Sequence, residues 1–244
     1  MKPNVALRGM GPRAASFVVL LGAMTAPALA GDRALIGFIG YSPDGRYFAF
    51  EEYGVQDGSG FPYATVYVID LAADKWVPGS PYRTALGSDD ATVAAARKAA
   101  QELAAAKLTA LDVSTPAHLV ALNGDGETGG DGHRLDFGKP GYGLEEPPDV
   151  QSLSIETFPA DSSTPCESYI GEKGLGYALF LDGEELHRDG RLPQSRGCPL
   201  DYGIYGVVMP ADWSGAEAAV AIIATYPFGF EGPDRRFLAV PLDK

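Results

Sequence analysis

Glu51 and Glu52 stand side by side in the run YFAFEEYGV, and paired carboxylates are the raw material of acid–base and glycosidic chemistry. Neighbours in a strand point to opposite faces, so one of the two faces inward or lines a groove. A second oxygen-rich segment, Asn123-Gly-Asp125-Gly-Glu127-Thr-Gly-Gly-Asp131, alternates donors as hard cations such as calcium prefer. Read as an EF-hand loop it fails, because Thr128 stands where glycine is needed and Arg134 where the bidentate glutamate belongs. A looser calcium turn over Asn123, Asp125, Glu127 and Asp131 competes with the plainer expectation of a solvated, glycine-rich connection. Apart from that calcium turn no cofactor is expected. Glu145 and Glu146 precede two prolines and read as a solvated loop.

Aromatic residues supply the other candidate chemistry, which is binding. Phe61-Pro62-Tyr63 and Tyr226-Pro227-Phe228-Gly229-Phe230 place rings in two loops, where they can stack on sugars or apolar peptide side chains at low entropic cost. The competing expectation is that these rings fold back over a sheet end. Nucleophilic catalysis has no local support: the chain lacks a G-x-S-x-G elbow, an H-E-x-x-H helix and a phosphate loop ending in Lys-Ser or Lys-Thr. Its three histidines, His118, His133 and His187, are scattered over strand and loop edges and read as hydrogen-bonding residues. No catalytic residue is assigned.

The two cysteines, Cys166 and Cys198, are expected to pair in an oxidising compartment. They bracket a hairpin whose turn is Asp182-Gly183, a favoured two-residue type. Such a bridge is worth about 3–4 kcal/mol in the chain-entropy model.

The elements that must position these residues are mostly strands. Alternating segments rich in Val, Ile, Tyr and Phe predict strands over Ala34–Ile39, Tyr47–Tyr53, Thr65–Leu71, Ala117–Leu122, Arg134–Phe137, Val150–Thr157, Gly176–Leu181, Glu184–Arg188, Ile204–Met209, Ala218–Tyr226 and Arg236–Val240. One helix interrupts them. The alanine-rich stretch Ala91–Leu108 follows a capping sequence Ser88-Asp89-Asp90, with Val93, Ala96, Ala100 and Leu103 as its apolar stripe. Arg97, Lys98, Gln101 and Glu102 fall largely away from that stripe. Residues 46–71 and 219–243 echo one another, each a strand, an aromatic loop and a second strand. Such an echo suits a circular array of hairpins that closes on itself.

Residues 1–30 read as a signal peptide: basic Lys2, Arg8 and Arg13, an apolar core over Ala14–Met24, and the small-x-small site Ala28-Leu29-Ala30. The apolar core is shorter than the roughly 20 residues that span a bilayer. The chain is expected to begin at Gly31 after cleavage and to form one β-rich domain over 31–244, with a helical insertion at about 88–110. Its net charge of −13 grows more negative once three basic leader residues are removed. That charge disfavours nucleic-acid and anionic-lipid partners, which bind through Lys and Arg.

The run SPDGRYFAF followed by VYVIDL, within residues 41–71, is similar to the blade motif of WD40-like and TolB-type propellers. In those proteins a Ser-Pro-Asp-Gly turn leads into an apolar strand and the next strand ends in Ile-Asp-Leu. The leader, this opening block, the alanine-rich helix and the cysteine-flanked C-terminal half together resemble a family of predicted secreted bacterial proteins, domain of unknown function 2259. The propeller resemblance implies an irregular propeller-like array of antiparallel hairpins with one inserted helix, the alternative being a β-sandwich. The function expected is that of a non-enzymatic exported protein, periplasmic or secreted, which binds a peptide, glycan or envelope component. Its candidate binding residues are Phe61, Tyr63, Tyr226, Phe228, Phe230, Glu51 and Glu52. The competing class is a carboxylate- or cation-dependent hydrolase.

Overall fold

Hairpin turns set the architecture. At Ser42-Pro43-Asp44-Gly45 the Ser42 hydroxyl donates to Asp44 Oδ1 (2.5 Å) and accepts from the Tyr47 N–H (2.9 Å), while Gly45 takes φ +69°. The turn joins β1 (Leu35–Tyr41) to β2 (Tyr47–Val55). The computed structural model describes residues 31–88, 90–124, 131–138, 150–211 and 218–243. It is mainly β, with several antiparallel sheets and no closed barrel among the described residues.

The first sheet continues through β3 (Pro62–Asp70), whose far edge is shared by β4 (Lys75–Trp76) and β5 (Tyr82–Ala85). A second sheet is a meander of β7 (Arg134–Phe137), β8 (Gln151–Pro159), β9 (Leu175–Leu181) and β10 (Glu184–Arg188). The third runs from β6 (Ala117–Leu122) through β11 (Pro199–Pro210) and β12 (Val220–Pro227) to β13 (Arg236–Pro241). The turn between β9 and β10 has Asp182 at φ +51° and Gly183 at φ +86°, the primed geometry that the right-handed twist of a hairpin favours.

The third sheet is the middle layer. Along β12, Ala221 and Ile223 pack with Leu153, Ile155 and Leu179 of the second sheet, while Val220, Ile222 and Ala224 pack with Phe48, Phe50, Tyr67 and Ile69 of the first. A strand buried on both faces reads as a continuous apolar run, as VAIIA does.

Helix α1 (Val93–Ala110) covers the outer face of the first sheet, with Ala96, Ala100 and Ala104 against Ala49, Ala64, Val66 and Val68. Three alanines at fourfold spacing let the helix approach closely. Here the structure corrects two expectations. The cap is Thr92, whose Oγ1 accepts from the Ala95 N–H (3.1 Å); Ser88 instead closes a turn onto Ala91, and Asp89 lies outside the described residues. The buried stripe runs through Ala104 and leaves Leu103 exposed, because the i, i+4 row of alanines, not the wider leucine, fits the sheet. A short helix, α2 (Cys166–Ile170), and the strands β4 and β5 were not expected. Cys166 and Cys198 form a disulfide that ties α2 to the start of β11.

Residues 32–34 reach across to the other end of the chain. The Asp32 N–H donates to Asp234 Oδ1 (3.0 Å), Arg235 N–H donates to the Asp32 carbonyl (2.7 Å), and Ala34 N–H to the Arg235 carbonyl (3.3 Å). A Cβ on Gly31 would meet the Pro233 carbonyl oxygen at 2.4 Å, so only glycine fits that approach.

Candidate ligand-binding cleft

A cleft of about 540 Å³ opens where the middle sheet ends. β13 is its last strand, and its residues 236–240 form the back wall. The outer sheets supply the sides: Glu52, Tyr67, Trp76 and Arg83 from the first, Tyr177 and His187 from the second, with Arg196 from the connection after β10. The volume suits a small ligand.

Period-two alternation sends Glu52 into the cleft and Glu51 to the opposite face. Glu52 is buried, the Tyr67 hydroxyl donates to its Oε1 (2.6 Å) and the Phe237 N–H donates to its Oε2 (3.2 Å). The second bond satisfies a backbone group on the open edge of β13, which otherwise offers a template for another strand. Burial pushes the Glu52 carboxyl above its ordinary value of 4.5, although the Tyr67 hydroxyl, Arg236 and the Phe237 N–H pull it down. A proton bound more tightly in the folded chain stabilises it fully below pH 4.5, and that contribution disappears as pH rises through the elevated value. Glu52→Gln, which mimics the neutral acid, is therefore expected to gain stability relative to the parent from pH 5 to pH 8 in urea titrations. A constant difference between the two across that range would show Glu52 ionised throughout.

Beside Glu52 lies an ion network built from both chain ends. Arg236 Nη2 donates to Asp32 Oδ2 (2.7 Å) and lies 3.4 Å from Asp234 Oδ2, while the Tyr63 hydroxyl donates to Asp32 Oδ1 (2.9 Å). The opposite side of the cleft holds a second network: Asp189 sits 3.3 Å from His187 Nε2 and accepts from Arg196 Nη1 (3.1 Å), which also reaches the Tyr202 hydroxyl (3.1 Å). Burial alone would raise Asp189, but His187, Arg196 and the Tyr177 N–H outweigh it and hold the carboxyl below its usual range. Both arginines are thereby committed to carboxylates of the fold. Lys75 and Arg83 are not: both are exposed on the cleft wall, and neither has an ion-pair partner among the described residues. Trp76 lies between them in the chain, 42% exposed, its ring 5.7 Å from that of Tyr67.

The two aromatic loops touch each other. The Glu231 N–H donates to Asp57 Oδ2 (2.7 Å), and the Phe230 ring lies against Gly58. The loop between β12 and β13 leaves the cleft wall at Pro227 and rejoins it at Arg236. Phe228 and Phe230 are 52% and 82% exposed. Phe61 is half-buried beside Gly87, and Tyr226 is half-buried with Arg33 over its ring (5.4 Å). Tyr63 is a core residue, its hydroxyl spent on Asp32.

Glu51 lies beneath the helix. Arg97 donates to its Oε1 through both Nε (3.0 Å) and Nη2, and Gln101 Nε2 donates to its Oε2 (3.0 Å). Arg97 and Gln101, expected to point away from the sheet, flank the buried alanine row and anchor the helix to β2. Of the calcium candidates, Asn123 spends its amide on the Arg134 and Ile204 carbonyls (2.9 and 3.0 Å) and Asp131 accepts from the His133 N–H (2.9 Å). Asp125 and Glu127 lie outside the described residues. No three His, Cys, Asp or Glu side chains are grouped to hold a metal ion among the described residues.

Sequence reasoning missed Trp76, Arg83, Arg196, Arg236 and Asp32. Trp76 and Arg83 offered one signal, a lone tryptophan and a basic residue on either side of a Pro-Gly-Ser-Pro turn in an acidic chain. Asp32 and Arg236 offered none, being 204 positions apart.

No helix among the described residues is long and apolar enough to cross a membrane. Comparison with curated proteins and with solved structures returns no match. Residues 49–243 match the model of the family described as predicted secreted protein (DUF2259), and the chain belongs to that family.

Proposed function

We propose that this chain is an exported, non-enzymatic binding protein that takes an envelope peptide or glycan in the three-sheet cleft. Phe228, Phe230 and, on the loop that touches theirs, Phe61 form its aromatic rim. In this reading the protein is processed near Ala30, works in the periplasm or outside the cell, and forms one β-rich domain over 31–244 with a helical insertion at about 88–110. The observation that carries it is the exposure of Phe228 and Phe230 on a loop that leaves and rejoins the cleft wall. Large exposed rings bordering a cavity lower the entropic cost of contact because they have few rotamers to lose.

The non-catalytic reading has separate support. Glu51 and Glu52 sit on opposite faces of β2, so they do not act as a pair on one bond. Both Glu52 oxygens already accept hydrogen bonds from the fold.

A printed array of bacterial envelope glycans and peptides tests this reading. The processed protein is expected to be retained on a subset of spots, and Phe228→Ala combined with Phe230→Ala to reduce that retention about tenfold. Its melting temperature is expected to stay within about 2 °C, as for exposed substitutions. No retention of the parent, or retention untouched by the double variant, overturns it.

A further inference from the structure

We propose that the cleft selects a carboxylated saccharide, with Arg83 binding its acid group and Trp76 stacking on a sugar ring. This rests on the cleft being the binding site. Arg196 is held by Asp189 and Arg236 by Asp32 and Asp234. Arg83 faces the same cavity without such a partner among the described residues, in a chain with 32 acidic and 19 basic residues. In so acidic a protein a cation pays no desolvation penalty only while it stays wet, and Arg83 is exposed where an incoming anion would meet it. Arg83 is close enough to Tyr67 for its charge to act on that hydroxyl.

The ring follows from Trp76. β4 and β5 share one edge of β3, with Trp76 opposite Ile69 and Arg83 opposite Thr65. Ile69 and Tyr67 face the cleft, so Trp76 and Arg83 point to the same side with Tyr67 between their pairing positions. With Arg83 pairing four residues along β3 from Trp76, the indole and the guanidinium match two places on one saccharide, a flat ring face and a carboxylate. An extended peptide fits less well. It would add to the open edge of β13, and the Phe237 N–H on that edge is already spent on the Glu52 carboxylate.

The chain has two tryptophans, so Trp213→Phe leaves Trp76 as the fluorescent reporter. Oligomers of galacturonate, glucuronate and mannuronate are titrated against that variant, alongside their methyl esters and inorganic phosphate. At least one uronate series is expected to change Trp76 emission, with its ester about tenfold weaker and phosphate silent. Adding Arg83→Ala is expected to weaken binding about tenfold, by a factor that shrinks in high salt. If ester and acid bind equally, the anion selectivity is wrong and the cleft remains a binding site. If no uronate perturbs Trp76 while a ligand retained on the array does, the saccharide class is wrong. If neither uronates nor array ligands perturb it, the cleft itself is excluded.

Discussion

Asp32→Ala is expected to cost about 3 kcal/mol of stability, read as a lower urea midpoint at unchanged slope. The Asp32 carboxylate is buried and receives the Arg236 guanidinium on one oxygen and the Tyr63 hydroxyl on the other. Removing it leaves a buried phenol without an acceptor and an arginine whose remaining carboxylate, Asp234, stands 3.4 Å away. Breaking a buried ion pair costs roughly 3–5 kcal/mol. The lower end applies here because the Arg236 side chain keeps 29% of its surface in water. Asp32→Asn keeps the acceptor for Tyr63 and loses the charge, so it should fall between. A loss below about 1 kcal/mol for the alanine variant would mean that residues 32–34 can detach without disturbing the sheets.

Cys166→Ser with Cys198→Ser is expected to cost about 3–4 kcal/mol, because the bridge closes a loop of 32 residues in the unfolded chain. The damage should be local as well as global. The bridged segment contains β9 and β10, which form one side of the cleft, and Arg196, which lies two residues before Cys198. Amide exchange is therefore expected to accelerate first in residues 189–198 of the serine variant. Uniform acceleration across all three sheets would instead show that the bridge acts only on the unfolded ensemble.

Comparing these residues with the sequence shows which physics is local. Every strand with a clear period-two pattern was legible, down to identical limits for Ala117–Leu122, Arg134–Phe137 and Glu184–Arg188. β4 and β5 were not, since two and four mostly exposed residues carry no apolar alternation. The opposite orientation of Glu51 and Glu52 followed from the same periodicity, but their partners did not. Arg97 is 46 positions from Glu51, and Phe237 is 185 from Glu52. The cleft itself depends on which strand ends the middle sheet, and strand order is a property of tertiary pairing. The echo in sequence gives the two aromatic loops corresponding positions but not their contact; the bond from Glu231 to Asp57 is what joins them.

The docking of Gly31–Ala34 against residues 233–236 has a consequence for the timing of folding. The first described residues find their partners only after nearly the whole chain is available, at separations of 202 and 204 positions. Contacts of that span form late and slowly, since loop closure must precede them. Until Arg236 is available, the Asp32 carboxylate lacks the guanidinium that it pairs with in the fold. The pairing of Asp32 with Arg236 is therefore expected to be among the last contacts to form.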